Sequence, residues 1–208
     1  RQQLHDKGMH MLAQALSKVA LHSLKNLNLS SNNIGHEGIQ AFCEALSMCA
    51  SNTLTYLNLH TNCIQNEGMK ALAEALSKGG LNNLLHLDLA FNEIGPEGIQ
   101  AIAEAIPMGH SLERLELGWN HIGKDAMKAF AQMLSKGALH HLTHLDLSSN
   151  HMDNEGIRAV ADALSTGATL KRNQTGGHLF TLFVVSKAMN RLDFVLSIDI
   201  RVWRKSAI

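Results

Sequence analysis

Three segments of this chain place a charged or titratable pair one residue apart: His86-Leu87-Asp88, Arg114-Leu115-Glu116 and His144-Leu145-Asp146. In an extended backbone such pairs lie on one face, where an imidazole and a carboxylate could share a metal ion or pass a proton. Thirteen histidines in 208 residues make that chemistry worth testing against the pattern. It does not hold together. If the three segments are neighbours, the Arg114 guanidinium stands between the two His-Asp pairs and opposes a bound cation. Neither HExxH nor CxxC occurs. His140, His141 and His144 straddle a loop and the start of an extended segment, and read as solvent-facing imidazoles. No G-x-S-x-G elbow, phosphate-cradling loop or Cys/His nucleophile pair is legible. The expectation is therefore no metal, no cofactor and no catalytic residue. What the histidines permit is recognition whose strength changes between about pH 6 and 7 as they titrate.

Each of the three segments sits inside a longer phrase that recurs. The copies are LKNLNLSSNNI from Leu24, LTYLNLHTNCI from Leu54, LLHLDLAFNEI from Leu84, LERLELGWNHI from Leu112 and LTHLDLSSNHM from Leu142, with starts 30, 30, 28 and 30 residues apart. A period this regular predicts stacked units forming a solenoid, not a globule around one pocket. Leucines one residue apart alternate as strand residues do. The closing asparagine (Asn32, Asn62, Asn92, Asn120, Asn150) stands where the chain leaves the core, and an amide there can bond neighbouring turns into a ladder.

A helix follows in constant register. Ile39, Phe42, Cys43, Leu46 obey the i, i+3, i+4, i+7 rule, as do Met69, Leu72, Ala73, Leu76 and the matching residues to Ile157, Val160, Ala161, Leu164. Met9, Leu12, Ala13 and Leu16 supply a truncated copy ahead of the first phrase. Glu37, Glu67, Glu97, Asp125 and Glu155 fall in first turns and suit the helix dipole, Pro96 suits the first helical position and Asp153 an N-cap. These carboxylates read as structural. Parallel strands sit about 4.8 Å apart, whereas packed helices need about 8–10 Å. The helix side must splay, so the strands line the inside of a curve: an α/β horseshoe with parallel strands on the concave face and helices on the convex face.

Residues alternating with the strand leucines then project from the concave wall in columns. One is Asn26, Tyr56, His86, Arg114, His144; the next is Asn28, Asn58, Asp88, Glu116, Asp146; beyond lie Ser30, His60, Ala90, Gly118, Ser148 and then Ser31, Thr61, Phe91, Trp119, Ser149. An acidic row lies beside a His-Arg-His row. Phe91 and Trp119 are adjacent large aromatics where other copies carry Ser or Thr, and exposed Trp and Arg are preferred anchors of protein interfaces. The candidate partner-binding residues are Tyr56, His60, His86, Asp88, Phe91, Arg114, Glu116, Trp119, His144 and Asp146.

At these residues the chain resembles the ribonuclease-inhibitor-like class of leucine-rich repeats, whose strand phrase LxxLxLxxN is followed by a helix of the form EGxxxLxxAL. EGIQAFCEAL, EGMKALAEAL and EGIQAIAEAI carry that likeness, which covers about residues 5–170, with Asp125-Ala126 departing from Glu-Gly in the fourth copy. The repeat texture is most similar to NOD-like receptor arrays. The resemblance implies a right-handed solenoid and a non-enzymatic scaffold that recognises a protein partner within a larger cytosolic receptor or effector. The same class contains Ran-directed GTPase-activating proteins, which is the alternative reading. Self-association or autoinhibition inside a parent protein is a further use of the same face.

Composition agrees in outline. Hydrophobic residues are 45% and aromatic residues 4%, which suits thin layers of Leu, Ile, Ala and Met. Residues 1–170 carry 11 Lys/Arg against 16 Asp/Glu, an acidic excess that argues against nucleic acid. Cys43, Cys49 and Cys63 have no paired spacing and read as reduced thiols of a cytoplasmic protein, with Cys43 and Cys63 expected to be buried. No signal peptide or membrane span is expected, and a chain that starts inside a repeat reads as part of something longer. From Leu170 the register fails, with Asn173 and Thr175 where leucines belong. Residues 171–208 carry 7 Lys/Arg against 2 Asp/Glu and read either as a divergent C-terminal cap or as a non-repeat tail. Leu179 to Val185 and Phe194 to Val202 could there form two strands, or a strand and a helix.

Overall fold

The structure of the protein, a computed structural model, describes residues 3–18, 23–48, 53–107, 110–139, 141–151, 153–165, 180–185 and 195–200. Helices and strands alternate: α1 (His5–Lys18), β1 (Asn26–Asn28), α2 (His36–Met48), β2 (Tyr56–Asn58), α3 (Gln65–Ser77), β3 (His86–Asp88), α4 (Pro96–Ala105), β4 (Arg114–Glu116), α5 (Gly123–Ser135), β5 (His144–Asp146), α6 (Asn154–Ser165), β6 (Phe180–Val185) and β7 (Val195–Ile200). The strands form one sheet in chain order, parallel from β1 to β6, with β7 antiparallel to β6. Leu27, Leu57, Leu87, Leu115 and Leu145 pair in a single register. The fold is the expected α/β solenoid, strands lining the concave wall and helices backing it. In the segment where two strands or a strand and a helix were open, the structure has two strands. Cys49, His140, Met152 and the register break at residues 170–179 lie outside the described residues.

The core is a continuous layer between sheet and helices. Ile39, Phe42, Cys43 and Leu46 of α2, Met69, Leu72, Ala73 and Leu76 of α3, and Met127, Phe130, Ala131 and Leu134 of α5 are all buried. Each fully buried aliphatic or aromatic side chain contributes about 1.5–3 kcal/mol. At the N-terminal end Leu12, Leu16 and Leu27 are only partly buried.

The asparagine ladder is present. Asn62, Asn92, Asn120 and Asn150 are buried. Each amide nitrogen donates both to a carbonyl of its own turn and to one of the preceding repeat, as Asn92 does to Leu89 (3.1 Å) and Leu59 (2.8 Å). The Asn120 amide oxygen accepts the N–H groups of Asn92 (3.0 Å) and Ile94 (2.9 Å). Backbone polar groups that the turn strips from the sheet are thereby satisfied without water.

Helix starts alternate with a period of two repeats. Gly95 at the N-cap of α4 has no side chain to cap with, and Gly35 precedes α2. The cap comes from the helix before. The Asp6 carboxylate accepts the N–H groups of Gly35 (2.7 Å) and Gly38 (3.0 Å), and Asn66 Oδ1 accepts those of Gly95 (2.7 Å) and Gly98 (3.1 Å). At the third such junction the acceptor position holds Lys124, and the receiving helix caps itself, Asp153 Oδ1 accepting the Gly156 N–H (2.8 Å). The glycines of α2 and α4 are required by this arrangement. A Cβ on Gly38 would lie 2.5 Å from Asp6 Oδ1 and one on Gly98 2.9 Å from Asn66 Oδ1. In α5 the matching residue is Ala126, and the preceding helix carries Pro96 at the capping position, which lends no acceptor.

One expectation is corrected. Cys43 is buried, but Cys63 is only partly so; it lies at the turn surface with Sγ 3.4 Å from Asn33 Oδ1.

Candidate protein-binding face

The strand triplets decide what faces outward. In β2, β3, β4 and β5 the central leucine is buried and the flanking residues are half-buried or exposed. Tyr56, His86, Arg114 and His144 are register partners, as are Asn58, Asp88, Glu116 and Asp146. The expected columns are therefore real. Contacts knit them together: the Tyr56 and His86 rings meet edge to face at 6.0 Å, His60 and Phe91 at 5.2 Å, and Phe91 stacks on Trp119 at 4.9 Å with planes 10° apart. Arg114 Nε donates to Glu116 Oε1 at 2.6 Å, and His60 Nδ1 lies 3.7 Å from Asp88 Oδ1.

The acidic column has a structural duty that the sequence reading missed. Asn28, Asn58, Asp88 and Asp146 each accept the N–H two residues on, at 2.9, 2.9, 3.0 and 2.8 Å. These are Asx turns that end the strand, and Asn or Asp ahead of a turn was the available signal. Glu116 is one methylene longer and pairs with Arg114 instead. One oxygen of Asp88 and of Asp146 is thus committed to the turn.

After the turn the chain enters the left-handed region at Ser31, Thr61, Phe91, Trp119 and Ser149, with φ from 54° to 57°. Placing a non-glycine residue there costs about 1–2 kcal/mol. Bulky rings are poor choices for that conformation, and yet Phe91 is 41% exposed and Trp119 57%. They stand in the open, stacked on each other.

Electrostatics follow from crowding. Burial pushes the Asp88 carboxyl up, with the Glu116 charge adding to it, against the Ala90 N–H and the His60 and Arg114 charges. Burial, and then Arg114, push His144 down, so it is held toward the neutral form. Buried His110, outside the face, is also pushed down by desolvation; its Nε2 donates to the Leu81 carbonyl (3.1 Å) and its Nδ1 accepts the Leu112 N–H (3.2 Å). Among the described residues no three of His, Cys, Asp and Glu come together as a metal-binding group. A second stacked pair, His121 and His151 at 5.7 Å, lies one column beyond the aromatics and was not singled out from sequence.

A repeated strand-turn-helix unit with a buried asparagine ladder and a parallel concave sheet defines a leucine-rich repeat protein. The chain belongs to the MHP1/HER1/GIP3 LRR domain family, whose model matches residues 1–166. No curated protein matches it significantly in sequence. Among solved structures, the leiomodin-1 actin-binding site 2 is similar with a TM-score of 0.57 and 21% identity over 74% of this chain and 86% of that one. An internalin (InlF) of Listeria monocytogenes gives a TM-score of 0.37 and 17% identity over 73% of this chain, which spans 48% of the internalin's length. At 21% identity the leiomodin likeness is one of fold. Among the described residues, no helix is long and apolar enough to cross a membrane.

Proposed function

We propose that this domain is a non-enzymatic scaffold that recognises a protein partner through its concave face, centred on the third and fourth repeats. The observation that carries the reading is the exposed Phe91–Trp119 stack. Its two residues occupy the same strained backbone conformation as Ser31, Thr61 and Ser149 of the other repeats, so the turn itself does not call for a ring. Rings in that position add little to the core and a great deal to a binding surface. Arg114, half-exposed at the start of β4 on the same face, supplies the polar anchor that commonly accompanies aromatic hot spots.

Residence in a larger cytoplasmic receptor or effector, and membership of the ribonuclease-inhibitor-like class near the NOD-like receptor arrays, belong to the same proposal. They are supported by the EGIQAFCEAL-type helices and by the free thiols of Cys43 and Cys63, which suit a reducing compartment. We further read residues 1–170 as the solenoid and 171–208 as a divergent C-terminal cap or non-repeat tail, the cap being supported by β6 and β7 extending the sheet beyond β5. The test is affinity capture with the wild-type chain and with Trp119→Ala plus Arg114→Ala. The double variant is expected to lose the proteins that the wild type retains; equal recovery would remove the proposed face.

A further inference from the structure

We propose that the partner presents an arginine, whose guanidinium stacks on the open face of Trp119 and pairs with Asp146. This rests on the binding-face reading above and adds the chemistry of what is bound. The His60 ring leans on Phe91 of the adjoining column at 5.2 Å, and within that column Phe91 stacks on Trp119 at 4.9 Å. One side of the indole is covered by Phe91. The column's next position is Ser149, which has no ring, so the stack ends with an indole face turned toward the fifth repeat. A planar group supplied from outside would continue it.

The charge beside that vacancy is negative. Asp146 Oδ1 is held by the Ser148 N–H, while Oδ2 leans over Gly118, 3.2 Å from where a Cβ on that glycine would stand. Gly118 is the residue before Trp119, so its missing side chain opens a path between carboxylate and indole. Ser148 Oγ lies 2.9 Å from the same point and offers another acceptor. Asp146 Oδ2 has no hydrogen-bond partner among the described residues. Glu116 is engaged with Arg114, and Asp88 Oδ1 carries both the Ala90 N–H and the His60 ring. Three carboxylates face one guanidinium across β3 to β5, so the face is complementary to a cation.

Arginine fits better than lysine. Its guanidinium is flat, stacks on an aromatic face and offers a fork of N–H donors to one carboxylate, whereas an ammonium is a compact and strongly hydrated point charge.

The test is an NMR titration of the 15N-labelled chain with acetyl-Gly-Arg-Gly-amide, read at the Trp119 indole and Gly118 amide signals. The lysine and citrulline tripeptides and polyuridylate are run in parallel. Asp146→Asn is the informative variant, because Asn28 and Asn58 already make the same Asx turn at that position and the fold is kept. We expect saturable shifts with arginine and binding weakened about two- to five-fold by loss of the partly exposed ion pair in Asp146→Asn. A comparable loss, about two- to five-fold, is expected when citrulline removes the cation over the ring. Citrulline acting as strongly as arginine, an unaltered Asp146→Asn titration, or a response to polyuridylate in place of the peptide would each overturn the assignment. If the peptide fails while capture still depends on Trp119 and Arg114, the binding face stands and the arginine does not; if capture is also insensitive, both fall.

Discussion

Substituting single asparagines of the ladder gives a graded test of how the solenoid is held together. Asn92 and Asn120 are 0% and 1% exposed, so truncation to alanine removes the same side chain from equally buried sites. The consequences differ. Without Asn92, the Leu59 carbonyl keeps the Asn62 amide (2.9 Å), the Leu89 carbonyl keeps Asn120 (3.0 Å) and the Ala90 carbonyl keeps the Thr61 N–H (2.9 Å); only the Ile64 N–H, bonded to Asn92 at 3.4 Å, is orphaned. Without Asn120, the carbonyls of Leu89, Leu117 and Gly118 likewise keep a partner, in Asn92, Asn150 and the Phe91 N–H. But two donors, the Asn92 and Ile94 N–H groups, lose theirs. An orphaned buried donor costs about 1–3 kcal/mol. The common cavity cancels in the comparison, so Asn120→Ala is expected to destabilise by about 1–3 kcal/mol more than Asn92→Ala. Urea unfolding followed by circular dichroism measures the difference. Amide hydrogen exchange should show accelerated exchange at Asn92 and Ile94 in the Asn120 variant alone. Equal midpoints, or a more damaging Asn92→Ala, would refute the accounting of shared carbonyls and unshared donors.

Other expectations follow from the same contacts. Asn66→Ala should destabilise by about 0.5–2 kcal/mol by removing the cap that α4 cannot supply for itself, measured by urea midpoint. Phe91→Asn and Trp119→Asn should leave the midpoint nearly unchanged, because relief of about 1–2 kcal/mol of left-handed strain offsets about 0.5–1.5 kcal/mol of lost stacking; a large drop would make the rings structural. His110 is held neutral in the fold, so below its ordinary pKa of about 6.5 the unfolded chain takes up a proton that the folded chain refuses. Its contribution should be complete above that pH and be lost progressively as pH falls toward the lowered folded value. The corresponding part of the acid-side decline in urea midpoint should be missing from His110→Gln. Mass mapping after iodoacetamide should find Cys63 alkylated in the native protein and Cys43 protected, since burial also pushes the Cys43 thiol far up.

The repeat phrase made the solenoid, strand register, helix faces and ladder legible before any coordinates, because each rests on a period that five copies state independently. The columns were legible for the same reason. What escaped was information held between repeats. The cap that Asn66 lends to α4 joins residues 29 and 32 positions apart, so no single helix start reveals it. The acidic column looked like a free row because Asp and Glu were read as one charge type, while one methylene decides that Asp88 and Asp146 close a turn and Glu116 does not. Cys63 looked buried from its place beside Asn62, but the turn rotates it outward. That Phe91 and Trp119 stack, and do not merely neighbour each other, depends on rotamers that spacing cannot supply.

Site-specific photo-crosslinking bears most directly on the concave face as the seat of recognition. p-Benzoylphenylalanine is placed at position 149, beside Trp119, and in a second variant at position 100 on α4, where Gln100 is exposed on the helix side. The account predicts a discrete crosslinked partner from position 149, abolished by Trp119→Ala, and none from position 100. Crosslinks from position 100 that survive Trp119→Ala, with none from 149, would move recognition to the convex side and contradict it.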